Sequence, residues 1–348
     1  MILLMNKFTK NIFMKTYKNI GYIFCLAIFL FSIASFSQTT IKELNKISEK
    51  SLLQILKDSE KWVHSGHVAT YIPELAKMNP DYIALSVVKP NGEIVSVGNV
   101  NQKFTIQSIS KIISLFVAVR DNGEEFVFSK LGFYGTDKPF NFFANLDNGG
   151  KPLNAMMNSG AILTTSLIGD DSELGYLKIR DMIRYITKNN TIDYNVAVYQ
   201  SERETGHRNR GMFHVLKNSE LVSGSDVKLD NYFKQCSIEV TATDLAKIGY
   251  FFANDCVRFD GDSTYKNADL AKLIESQMLI AGMYDASGYY ARNVGLPSKS
   301  GVGGGIAVSV PKKMGIGVFS APLDAQGNSI AGYHMILDLV KKYDLSIF

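Results

Sequence analysis

Three cysteines in 348 residues are too few for a disulfide framework. Cys25 sits inside an apolar run without the small residues ahead of it that a lipid-attachment cysteine needs. Cys236 and Cys256 read as two buried thiols, small core hydrophobes, although an oxidising compartment would permit a bridge between them. Metal-ligand spacing is equally scarce: His64-Ser65-Gly66-His67 has the spacing of half a site and no Cys, Asp or Glu pattern completes it, so neither a metal nor a cofactor is expected. Acidic residues are absent from positions 1–41, where Lys7, Lys10, Lys15 and Lys18 carry the whole net charge of +4. The remainder is neutral, which removes any argument for nucleic acid. Internal repeats and low-complexity linkers are absent as well.

The lysine-bearing start leads into an apolar stretch from Ile20 to Ala34 and then Ser35-Phe36-Ser37-Gln38, with small residues where a signal peptidase reads. This predicts a signal peptide over 1–37 and an exported domain over 38–348, periplasmic or secreted. The stretch is short of the about 20 residues that span a bilayer, so no stable membrane anchor is expected. With 46% hydrophobic and 20% charged residues, the composition is that of a globular protein with a sizeable core.

Ile41 to Trp62 carries apolar residues at near-helical period and predicts one amphipathic helix. Tyr82–Val88, Pro90-Asn91-Gly92 and Glu93–Val97 predict a hairpin turned at Asn-Gly. From about 110 to 282 the strong patterns are helical, among them Gly175–Thr187 and Thr241–Asn254, the latter with Thr241 or Thr243 as N-cap. Strands return at Gly305–Val310 and Gly315–Ser320, and a helix from about Ser329 to Tyr343 closes the chain. The layout is α/β in the α+β sense: one antiparallel sheet built from both ends of the chain, flanked by terminal helices, with a large helical insertion.

Two motifs at the border of sheet and insertion carry chemistry. In Ser108-Ile109-Ser110-Lys111 the hydroxyl and amine stand three residues apart at a helix start, on one face, where the amine can take the hydroxyl proton. Ser86/Lys89, Ser225/Lys228, Ser263/Lys266 and Ser309/Lys312 share that spacing, but only Ser108 follows an extended lead-in, Phe104–Gln107, and precedes a buried helical run, Ile112–Val119. The duller reading is a serine that caps a core helix. Lys299-Ser300-Gly301, running into Val302-Gly303-Gly304-Gly305, offers a cation, a hydroxyl and open backbone on a strand edge, or else is a plain glycine-rich hairpin.

With these motifs the chain resembles the serine-dependent glutaminases, a β-lactamase-like family of bacterial and kidney- and liver-type enzymes. The resemblance runs in order from Ser65 to Ala331. It rests on Tyr71–Leu75, Phe104–Lys111, Met156–Ile162, Ser201-Glu202 with Thr205-Gly206 and Arg208-Asn209, Tyr232–Ser237, Gly282–Gly288, and Gly295–Pro297 with Lys299–Ile306. It implies a β-lactamase and penicillin-binding-protein-like fold, hydrolysis of L-glutamine to glutamate and ammonia, and a homodimer or homotetramer. By motif matching it also implies Ser108 as nucleophile, Lys111 as its partner, and Gln107, Asn158, Glu202, Asn209, Tyr232, Tyr284 and Val302 as substrate contacts, with Tyr71 a further tyrosine of the site. The segment Gly132–Phe142 departs from the family pattern, as does Ser159 more mildly.

The residues suit that chemistry. Glutamine needs countercharge for its amino group, which Glu202 offers, and polar partners for its carboxylate, which Asn158, Asn209 and tyrosine hydroxyls offer; the duller reading of Glu202 is a solvated pair with Arg203. Lys111 must lose its proton near neutrality, which burial or crowding by Lys299 would achieve. The N–H groups of Ser108 and Val302 are the expected oxyanion donors, with the glycines after Val302 giving the substrate room. Ser-Asp-Asn, the middle element of β-lactamases, is missing, and Tyr232 takes that place. Two alternatives stand beside this: a β-lactam-recognising serine hydrolase, and an exported amino-acid-binding protein with an inactive site.

Overall fold

A computed structural model describes residues 41–348, without the side chains of 147–149. The signal peptide expected over 1–37 lies outside the described residues. The chain divides into Met1–Lys46 and a large compact unit, Ile47–Phe348. Within that unit the helices are α1 (Glu49–Ser59), α2 (Ser110–Asn122), α3 (Glu124–Ser129), α4 (Asn158–Ser166), α5 (Leu174–Thr187), α6 (Val196–Thr205), α7 (His207–Asn218), α8 (Val227–Cys236), α9 (Ala242–Ala253), α10 (Ala268–Ala281), α11 (Ser287–Asn293) and α12 (Ile330–Tyr343). The strands are β1 (Ile83–Val88), β2 (Ile94–Gly98), β3 (Phe104–Thr105), β4 (Glu239–Val240), β5 (Ser298–Gly301), β6 (Gly305–Val310) and β7 (Met314–Ser320).

The single helix expected over Ile41–Trp62 is interrupted at 46–48. Ser48 and Ser51 exchange side-chain-to-backbone bonds in a capping box, which satisfies N–H groups that a continuous helix would have paired internally and so starts α1 afresh. The later helix starts follow the sequence more closely. Thr241 caps α9 in a capping box with Asp244, whereas the Thr243 hydroxyl lies 3.1 Å from Ser96 Oγ. Ser329 caps α12.

The five-stranded sheet has the order β2-β1-β7-β6-β5, antiparallel throughout, with Leu85 opposite Val318 and Val308 opposite Ile316. It is therefore built from both ends of the chain. Strands β1, β6 and β7 are buried at every residue, which demands cover on both faces; α9 supplies it from one direction and α1 with α12 from the other. The approach of α9 is close enough that a Cβ on Gly317 would lie 2.1 Å from Ala242 O.

The helices of the middle of the chain pack around α2, whose residues from Ser110 to Val119 are all buried. The two-residue strands β3 and β4 pair Phe104 with Val240 and Thr105 with Glu239, and Ile106 N–H continues the pairing to Ile238 O at 2.7 Å. This short ladder ties the chain before α2 to the chain after α8. Both cysteines of the described residues, Cys236 and Cys256, are buried free thiols.

Candidate active site

Beyond β3 the backbone makes one 3₁₀ turn, Gln107–Ile109, before α2 begins. Gln107 sits at φ +48, the left-handed region that non-glycine residues rarely adopt and that costs on the order of 1 kcal/mol or more. Ser108 therefore stands on a strained turn ahead of the helix. Ile109 is the N-cap residue and no side chain caps α2, so the capping role considered for Ser108 does not apply. The Ser108 side chain and the Val302 backbone N–H instead stand beside the phenol of Tyr284, each favouring its ionised form against burial. Tyr284, itself at φ +56, donates to Ser300 O at 3.2 Å. The nucleophile candidate, the Val302 amide and the Tyr284 hydroxyl thus converge.

Two fully buried lysines flank this point. Lys111, in the first turn of α2, donates to Met156 O at 2.9 Å and Asn158 Oδ1 at 2.7 Å. Burial lowers its pKa to about 8, against the attraction of Cys236 and Glu202. Lys299, on β5, donates to Gly282 O at 3.0 Å and Ser300 O at 2.6 Å, with its Nζ 4.5 Å from the Tyr284 ring centroid. Its pKa falls well below the ordinary lysine value, through burial first and then through the charge of Lys111. The crowding expected to act on Lys111 is felt at Lys299, whose charged form is disfavoured by burial and by the nearby charge of Lys111.

A cavity of about 260 Å³ is lined by Tyr71, Ile72, Phe140, Asn141, Asn158, Glu202, Thr205, Gly206, Arg208 and Asn209. Glu202 lies in the last turn of α6 and Asn209 in the first turn of α7, on either side of the Gly206 break. Asn158 couples the cavity to the lysine, since its Oδ1 accepts from Lys111 and its Nδ2 donates to Asn209 Oδ1 at 3.0 Å. Glu202 is only 6% exposed and its Oε2 has no hydrogen-bond partner. Burial raises its carboxyl to about 8, held back by the Gln107 amide bond and the charge of Lys111. A solvated pair with Arg203 is thereby ruled out, and Arg203 meets Asp230 at 3.2 Å instead.

The two tyrosines differ in exposure. Tyr71 is 55% exposed as a residue, and desolvation, with Tyr284 and Glu202 nearby, raises its pKa well above the usual value. Tyr232, on α8, is buried, and burial with Cys236 and Glu202 nearby raises its phenol far enough that a preformed phenolate is out of reach near neutrality.

The residues picked from the sequence, Tyr71, Gln107, Ser108, Lys111, Asn158, Glu202, Asn209, Tyr232, Tyr284 and Val302, come together around this cavity and the turn beside it. The glycine after Val302 has a packing reason beside the one expected. A Cβ on Gly303 would lie 2.2 Å from Thr105 O, so it is the reactive turn's own lead-in strand that demands a glycine there. Sequence reasoning missed Phe140, in the divergent segment: its ring is 5.1 Å from that of Tyr284 and its carbonyl accepts Asn158 N–H at 2.9 Å. It also missed the carbonyls of Met156 and Gly282 that hold the lysines, for which the sequence carries no signal because every residue has a carbonyl.

The glutaminase family model matches residues 66–348. A glutaminase of Clostridium botulinum (strain Kyoto / Type A2) is 47% identical over 302 residues, spanning 85% of this chain and 99% of that protein. Glutaminase 2 of Clostridium perfringens is 45% identical over 301 residues, with 85% and 99% covered. Among solved structures, a Bacillus subtilis glutaminase in covalent complex with 5-oxo-L-norleucine, formed by reaction with 6-diazo-5-oxo-L-norleucine, superimposes with a TM-score of 0.76 at 32% identity, covering 85% of this chain and 98% of that one.

Proposed function

The chain belongs to the glutaminase family, and from that premise we propose how its own residues carry out the hydrolysis of L-glutamine to L-glutamate and ammonia through a covalent acyl-enzyme. The observation that carries the reading is the buried Glu202 carboxylate, whose Oε2 lacks a partner and which lines the cavity beside Asn158 and Asn209. A buried acceptor left unpaired costs about 1–3 kcal/mol, more when charged, and the α-ammonium of glutamine offsets it.

With that end anchored, the γ-amide carbon reaches Ser108. Lys111, unprotonated in a growing fraction of molecules as pH approaches 8, takes the Ser108 proton while Oγ bonds the carbon. The N–H groups of Ser108 and Val302 hold the developing oxyanion. The C–N bond then breaks as the departing nitrogen takes the proton from Lys111, releasing ammonia. Water attacks the γ-glutamyl ester, gives its proton to Lys111, and Ser108 takes that proton back as glutamate leaves. Tyr232 and Tyr284 act as neutral hydroxyls that orient and pass protons, and Tyr71 closes the solvent side.

The test is the mass of the protein after reaction with 6-diazo-5-oxo-L-norleucine. A stoichiometric adduct on the peptide bearing Ser108, absent from Ser108→Ala, supports the assignment, and an adduct elsewhere overturns it.

The same reading holds that residues 1–37 are removed on export, that the mature enzyme works in the periplasm or outside the cell without a membrane anchor, and that it assembles as a homodimer or homotetramer. Among the described residues no helix is long and apolar enough to cross a membrane. Light scattering on the mature enzyme measures the assembly; a mass of one 38.6 kDa chain or less excludes it.

A further inference from the structure

Three polar side chains that do not line the cavity form a chain of hydrogen bonds ending on the reactive turn. Thr165 of α4, Gln235 of α8 and Ser110 of α2 are all fully or almost fully buried. Thr165 Oγ1 donates to Gln235 Oε1 at 2.8 Å, Gln235 Nε2 donates to Ser110 Oγ at 3.3 Å, and Ser110 Oγ donates to Gln107 O at 2.7 Å. A hydroxyl has a single proton, so once Ser110 gives its proton to Gln107 it needs a donor for its lone pair, and the Gln235 amide provides one. Thr165 Oγ1 also reaches Ala161 O at 2.8 Å, so its single proton is shared between that carbonyl and Gln235 Oε1, and the Cys236 thiol neighbours Ser110.

A glutamine buried to this degree is costly unless its polar atoms do something that leucine could not. What they do here is hold one carbonyl. Gln107 O and Ser108 N–H belong to the same planar peptide unit and point in opposite directions across it, so fixing the oxygen aims the N–H. Gln107 is also the residue at φ +48, where the peptide plane needs outside support to keep its orientation. The same carbonyl takes the backbone N–H of Ser110, which adds to the grip without setting the plane by itself.

We propose that Ser110 and Gln235 are positioning residues: the chain Thr165–Gln235–Ser110 locks the Gln107–Ser108 peptide plane so that the Ser108 N–H faces the oxyanion formed on glutamine. The inference rests on Ser108 being the nucleophile. An oxyanion donor is used in full only in the transition state, so a misaimed one lowers kcat while leaving ground-state binding alone. Removing such a donor altogether typically costs about 10²–10³ in kcat; loosening it should cost less.

The experiment measures kcat, KM, glutamate affinity and thermal midpoint for Ser110→Ala, Gln235→Leu and the double variant. The expected result is a fall in kcat of roughly 10- to 100-fold in each single variant, with KM and the affinity for glutamate within about threefold of wild type. The double variant should be no worse than the weaker single one, because both cut the same chain. A folded Ser110→Ala or Gln235→Leu whose kcat stays within about twofold of wild type overturns the proposal, as does a parallel loss of kcat and glutamate affinity, which marks general loosening of the site. The two variants cut the chain at different links, so either decides if the other does not fold. If Ser108→Ala still turns over glutamine, the nucleophile assignment has failed; if it is dead and Ser110→Ala is fully active, only the positioning role has.

Discussion

At Glu202 the residue's position decides its chemistry. With one carboxylate oxygen unpaired in the cavity, Glu202→Gln should weaken glutamine more than an analogue lacking the α-amine, and an equal loss on both would remove it as the amine anchor. The fixed distance from this anchor to Ser108 also predicts selectivity. Asparagine is one methylene short, worth about 10- to 200-fold in kcat/KM before any penalty for a misplaced carbonyl, so comparable rates on the two amides would contradict the geometry. The pH profile follows from the buried groups. In the proposed mechanism Lys111 works unprotonated and Glu202 binds the amine ionised; burial holds both at about 8, so kcat/KM should rise with pH toward that value. The limb belongs to the coupled pair rather than to either residue. Because the Glu202 charge raises the pKa of Lys111, Glu202→Gln should move the limb in kcat to lower pH, and a shift upward would refute the coupling. Ser108→Ala should abolish turnover with an unchanged urea midpoint, since the hydroxyl caps no helix and the usual cap loss of about 0.5–2 kcal/mol does not arise.

Among the elements, the hairpins and long helices were legible in advance because their signals are local. Asn91-Gly92 between alternating apolar runs gives β1 and β2, and Thr241 with Asp244 three residues on gives the start of α9. The break before α1 was harder to see because the apolar period runs through it while the capping box at Ser48 acts over only four residues. The contact between α9 and β7 was not legible at all, since nothing near Gly317 says that a helix backbone will arrive there. Gly317→Ala puts a Cβ 2.1 Å from Ala242 O and should destabilise the enzyme by about 1–3 kcal/mol through overpacking. The site lies elsewhere, so KM should hold while the urea midpoint falls; an unchanged midpoint would mean that α9 can move away at no cost.

For the whole molecule, the export proposal is checked at its N-terminus: secreted protein should begin near Gln38, and material retaining residues 1–37 would favour an anchor. The sheet made from both chain ends matters to function because it carries Lys299 and Val302 on β5 and the turn after it to the place where the β3–β4 ladder delivers Ser108. By itself the sequence determined the fold class and the family, and it singled out the residues proposed for the site, from Ser108 and Lys111 to Glu202 and Tyr284, since each lies in a short motif whose residue types are chemically demanding. Only the tertiary structure decided that both lysines are desolvated, that Ser108 caps nothing, that Gly303 is demanded by Thr105, and that Phe140 joins the wall. Those outcomes depend on desolvation and on backbone contacts between segments far apart in the chain, and neither is encoded in the identity of any one residue or its neighbours.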